Sequence, residues 1–113
     1  MAIPHASSGQ VIDVRPLGGL LPGTRTHAIF KSQDLEVIRL VLKAGESFPA
    51  HKVPGEITVH CVEGSMNVGC NGSVTRLNAG EMLYLEGNIE HAVDAVEDAS
   101  ALVTIVLKPE SRD

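Results

Sequence analysis

Aromatic side chains are scarce in this chain: Phe30, Phe48 and Tyr84 make up 3% of 113 residues, and tryptophan is absent. Platforms on which bases or sugars stack are therefore lacking. The formal net charge is −5 and no block of lysine or arginine interrupts it, so nothing draws a phosphate backbone or an anionic membrane surface. The composition thus predicts no nucleic-acid partner. No apolar run approaches the length that spans a bilayer, and the opening MAIPHASSGQ lacks a basic flank followed by an apolar core. The expectation is a cytoplasmic protein with no membrane partner. Only two cysteines occur, Cys61 and Cys70, both in apolar strand patterns, and they are expected as free thiols acting as small hydrophobes. No segment sustains a helical period, and no spacing of serine, histidine and acid suggests a nucleophilic hydrolase.

What is present is an ordinary globular composition, 43% apolar and 20% charged, at a length that buries one core without help from a metal or disulfide. Residues 1–23 hold three prolines and four glycines beside the short apolar piece Val11 to Val14. They read as an irregular arm with one strand, of the kind that packs on a partner subunit. Residues 24–113 read as one all-β domain. Apolar runs Arg25 to Lys31 and Leu35 to Lys43 flank a polar corner, Ser47 to Lys52 is broken by Pro49 as an edge or bulge would be, and Ile57 to Val62 ends at Glu63-Gly64. Asn71-Gly72 marks a tight two-residue turn, Gly80 and Gly87-Asn88 mark two more, and Ala101 to Lys108 closes the chain as a strand with both faces covered. Many short strands at regular spacing, joined by Gly and Asn turns, predict a sandwich or barrel.

Two stretches carry polar groups within this apolar pattern. Gly45 to Gly64 places His51 near the end of a short strand, turns at Pro54-Gly55, then presents Glu56 and an apolar strand. Gly80 to His91 repeats the plan of strand, turn and single histidine. A two-residue turn at Glu63-Gly64 would pair Cys61 with Met66 and His60 with Asn67 in a hairpin. One of its faces then reads Ile57, Val59, Cys61, Met66, Val68 and Cys70, and it is the core face; Thr58, His60 and Asn67 lie on the other. His91, Val93 and Ala95 share a face in the same way. Tyr84 and Met66 are expected as core filler, and His5 and His27 as solvent-exposed.

These residues resemble the cupin family. Cupins are small jelly-roll barrels (the double-stranded β-helix, RmlC-like architecture) with two glycine-bounded motifs. The first is matched by Gly45, His51, the following strand and Glu63-Gly64, and the second by Gly80 and His91; the resemblance covers roughly residues 35 to 108. It implies a single-domain barrel whose mouth holds a divalent metal ion. His51 and His91 occupy the first and third histidine positions, while Val53 stands at the second and Ile57 at the glutamate, with Glu56 one residue early. In the second motif Glu86, Asn88 and Ala95 replace proline, glycine and asparagine. The site is therefore expected to be degenerate. His51, His91 and Glu56 together make the facial set of two imidazoles and a carboxylate, and His60 is a spare ligand that the hairpin register turns away from the cavity. Val53, Ile57, Val59, Cys61, Met66, Val68 and Val93 are expected to line the pocket.

Three functions follow. The first is a metal-dependent oxygenase or isomerase acting on a small molecule through Fe, Mn, Ni or Zn. The second is a metal-free barrel that binds or senses a small ligand. The third is a structural homodimer.

Overall fold

The computed structural model describes residues 5–108 and shows nine strands in two antiparallel sheets. They are β1 (His27–Lys31), β2 (Leu35–Leu42), β3 (Ser47–His51), β4 (Ile57–Glu63), β5 (Ser65–Cys70), β6 (Ser73–Asn78), β7 (Met82–Leu85), β8 (His91–Ala95) and β9 (Ala99–Val106). One sheet runs β1-β2-β9-β4-β7 and the other β3-β8-β5-β6. Non-consecutive neighbours dominate both orders, as expected where a chain winds between two facing sheets. No helix among the described residues is long and apolar enough to cross a membrane.

The inner faces meet in a dry core. Val59, Cys61, Met66 and Val68 are at most 2% exposed, and they interleave with Leu40, Leu42, Leu77, Val93 and Ala101. Alternation along each strand explains the membership: odd positions of β4 and β8 point inward, as do even positions of the inner part of β5. Burying side chains of this size is the main favourable term in the fold. Cys61 and Cys70 are both free, as expected, and burial pushes the Cys61 thiol above its ordinary value, so it behaves as a packing group.

The turn chemistry follows its residues. Asn71 and Gly72 both have positive φ, 52° and 76°, which suits a two-residue hairpin between right-twisted strands, and Cys70 faces Ser73 across it. Pro49 lies on β3, an edge strand with an irregularity between Phe48 and His51. There the missing N–H costs no central ladder bond.

Several expectations are corrected. Glu63-Gly64 does not close a hairpin. β4 pairs with β7 and β9, and β5 with β6 and β8, so the chain crosses from one sheet to the other at Gly64. Gly64 has φ +74°, and a Cβ there would run into the Asp98 carbonyl and Ala99, which is why the corner takes glycine. The assignment of faces survives the error because both sheets share one interior, so Cys61 and Met66 remain inward whichever way the corner is built. The expected strand at residues 11–14 is absent; the regular element of the arm is a 3-10 helix, Gly18–Gly23. The last strand begins at Ala99 and ends at Val106, not Lys108. Tyr84 is 57% exposed on the outer side of edge strand β7 instead of in the core. His27 is half-buried under the arm, with Nδ1 2.8 Å from the Arg25 carbonyl; His5 is exposed.

The arm lies on the outer face of the five-stranded sheet. Glu63 holds it there. Its carboxylate accepts hydrogen bonds from the Leu17 N–H at 2.8 Å and the Gly18 N–H at 2.9 Å, and a third from the buried Ser100 hydroxyl. A register shift between Cys61 and Glu63 makes this possible. Strict alternation after Cys61 would send Glu63 into the core, whereas the bulge sets it opposite Ser100 on the outer face.

Candidate functional site

Three adjacent strands of the four-stranded sheet build the site. In register, Cys70 on β5 faces His91 on β8, and His91 faces His51 on β3. The three residues form one row across the inner face. His91 begins β8 after the Gly87-Asn88 turn and is 7% exposed, while His51 ends the irregular edge strand and stands in solvent. Their imidazole Nε2 atoms are 3.0 Å apart, with the rings nearly perpendicular at 89°. Phe48 meets the His51 ring edge to face at 5.2 Å, which limits its rotation.

The protons of the pair follow from their partners. His91 Nδ1 is 3.0 Å from the Ile89 carbonyl, which can only accept, so Nδ1 carries the hydrogen and Nε2 keeps a lone pair. The close contact of the two Nε2 atoms then needs one hydrogen, which His51 donates. Partial burial and the neighbouring His91 both push the His51 imidazole below its ordinary value, which favours its neutral form. Presenting both Nε2 lone pairs to one ion requires only that His51 move its proton to Nδ1, with no change in charge.

The donor set fits a metal ion in part. Bonds of about 2.0–2.1 Å to one ion allow two imidazole nitrogens to sit up to about 4 Å apart, and 3.0 Å falls within that. The Ile89 carbonyl fixes the His91 tautomer as an outer partner of a ligating histidine does. A third donor is missing: among the described residues no group of three His, Cys, Asp or Glu side chains converges. Glu56 stays outside the site: its Oε2 accepts a hydrogen bond from the Tyr84 hydroxyl at 2.5 Å on the exposed side of β4 and β7. His60 faces Leu102 and Met82 in register on the outer face of the five-stranded sheet.

The expected pocket residues also lie elsewhere. Ile57, Val59, Cys61, Met66, Val68 and Val93 are the packed core itself, and Val53 packs against it. A shallow depression of about 210 Å³ beside the Asn71-Gly72 turn is lined by His91 and Cys70 but not by His51, and the paired residues Gly69 and Ala92 that also line it lie on the opposite side of the sheet by parity. Sequence reasoning passed over Cys70 as a neighbour of His91. Its inward parity was legible, but the strand that faces it was not.

The chain resembles several solved structures across most of its length. A conserved protein of unknown function from Streptococcus pyogenes is 23% identical, with a TM-score of 0.73 over 98% of this chain and 97% of that one. An RmlC-like cupin from Shewanella frigidimarina is 18% identical, with a TM-score of 0.71 over 96% of this chain and 95% of that one. A cupin superfamily protein from Desulfitobacterium hafniense is 16% identical, with a TM-score of 0.76 over 91% of this chain and all of that one. At these identities the likeness establishes the fold. No curated protein matches the chain. The cupin domain family model matches residues 38–107, more than half of the sequence and all of the strands that carry the histidine pair, and the chain therefore belongs to the cupin family.

Proposed function

We propose that the mouth of the barrel binds a small oxygen-bearing molecule through one divalent metal ion, Fe, Mn, Ni or Zn, held by His51 and His91. The observation that carries this reading is the 3.0 Å approach of the two Nε2 atoms with the His91 tautomer set by Ile89. Such an ion would supply Lewis-acid polarisation of an oxygen it binds, the chemistry that cupin oxygenases and isomerases need. The chain's own part is to hold two imidazoles on a rigid sheet, to close one side with Phe48, and to leave the exposed side of His51 open to the bound molecule. Two protein donors leave several coordination positions open, and a small molecule that binds the ion through its oxygen would tighten the site. A second reading, a metal-free module in which the histidine pair orients a ligand, is favoured by the lack of a third converging donor among the described residues.

Elemental analysis of tag-free protein, with and without His51→Ala and His91→Ala together, separates the two. About one ion per chain, lost in the double variant, is the expected result. No metal after soaking with each of the four ions would overturn the first reading and leave the second. A homodimer belongs to the same proposal. The outer face of the five-stranded sheet exposes Met82 at 63% and Tyr84 at 57%, and a second copy would cover them. Sizing of Tyr84→Lys against the unaltered protein tests it, with a shift to monomer expected.

A further inference from the structure

One buried charge takes no part in the histidine site. Arg39 lies in the middle of β2, where Leu40 and Leu42 face the core and Arg39 faces outward beneath the arm. It is only 3% exposed. A guanidinium carries five N–H donors. Among the described residues only Nη2 finds an acceptor, the Arg15 carbonyl, and Nε is buried with none. The two carboxylates that act on Arg39 from nearby are already engaged: Asp13 accepts from the Arg15 backbone and side chain, and Glu63 from Leu17, Gly18 and Ser100. The ion pair between Arg15 and Asp13 is the one the described residues form, and Arg39 belongs to none. A charge this deeply buried is costly unless something pairs with it.

Arg39 also lines a groove of about 430 Å³ between the arm and the outer face of the sheet. Arg15 and His27 share its polar side, and Ile12, Leu17 and Ile29 supply apolar walls. It is separated from the histidine pair by the whole core, since that pair lies on the inner face of the other sheet.

We propose that this groove binds a small monocarboxylate with an apolar body. The planar fork of Arg39 matches a carboxylate, which takes the donors the protein leaves free, and the body lies on Ile12, Leu17 and Ile29. Asp13 also lines the groove, and its charge selects a single negative charge over the two of a phosphate. The site is independent of any metal at His51 and His91.

Titration of the full-length protein with octanoate, followed by backbone amide NMR, tests this. Octanoate is expected to give saturable shifts at Leu17, His27 and Ile29, while 1-octanol and inorganic phosphate at equal concentration give none, and His51 and His91 stay unmoved. Arg39→Gln is expected to raise the dissociation constant tenfold or more. Leu20, 73% exposed at the rim, offers a variant that leaves the core alone: Leu20→Asp is expected to weaken octanoate at least threefold even if Arg39→Gln does not fold. Three results would each overturn the proposal: no saturable shift, equal response to 1-octanol, or shifts confined to β3 and β8. Shifts at the groove that grow with protein concentration alone would also overturn it, by giving the groove to a second copy of the chain.

Discussion

Replacing Glu63 by glutamine tests how the arm is held. The two side chains have the same shape, so no cavity opens and the change is confined to charge and to one oxygen. In the native protein one carboxylate oxygen serves Gly18 and the other serves Leu17 and Ser100. Glutamine turns one of these acceptors into an NH₂ that faces a donor. The exposed Gly18 N–H turns to water, so the loss amounts to one hydrogen bond to a charged group, about 2 kcal/mol at neutral pH. For a chain of this length that lowers the melting temperature by about 8 °C. The pH dependence is the sharper readout. Burial alone would raise the Glu63 carboxyl, but hydrogen bonds from Ser100, Leu17 and Gly18, with the Arg39 charge, hold it below its ordinary value. A depressed acid contributes stability that is complete above its unfolded value, about 4.5, and is lost as pH falls through the lower folded value. Urea unfolding of both proteins across the acid range should therefore show a gap that is full at pH 7 and closes in acid, where Glu63 is protonated. Hydrogen exchange at Leu17 and Gly18 should quicken in the variant at pH 7. A gap that is constant with pH, or no gap at neutral pH, would refute the carboxylate latch.

Gly64→Ala places a side chain at φ +74° against the Asp98 carbonyl. It should cost at least about 1–2 kcal/mol from the backbone alone, and more from the clash, measured by urea unfolding. Met66→Ala empties a side chain that is 0% exposed between the sheets and should destabilise by about 2–5 kcal/mol without moving the histidines. In metal-free protein the His51 imidazole should titrate by NMR below 6.5, and His91→Gln should raise its midpoint part of the way back, because burial remains when the neighbouring histidine is gone. The sign for stability is that His51's contribution is present above 6.5 and lost as pH falls through its lower folded value.

Alternation of apolar residues by itself places Ile57, Val59, Cys61, Met66 and Val68 on the inner face, because side-chain direction in a strand depends only on parity. The Asn71-Gly72 hairpin was legible for a similar local reason, since few residues accept two positive φ angles in succession. The resemblance of the stretches around His51 and His91 to the two cupin motifs implied the jelly roll, and the structure puts their Nε2 atoms together. Other features depend on partners far along the chain. β4 takes β9 and β7 as neighbours instead of the strand that follows it, because Gly64 is packed against Asp98 and Ala99 and the corner turns between sheets. The irregularity before Glu63 reverses its side and turns a strand-ending acid into the anchor of the arm. Arg39 reads as one charge in an apolar run, and only the arm folded over it makes it buried and short of acceptors. Glu56 is adjacent in sequence to the histidine strand yet reaches Tyr84, which is paired to β4 by the sheet. Sequence alone determined the period of the strands and where the chain turns, since those are set by backbone conformation within a few residues. Which strands pair, which groups share a site and which charges lie buried were decided by tertiary structure, since each rests on contacts that close long loops.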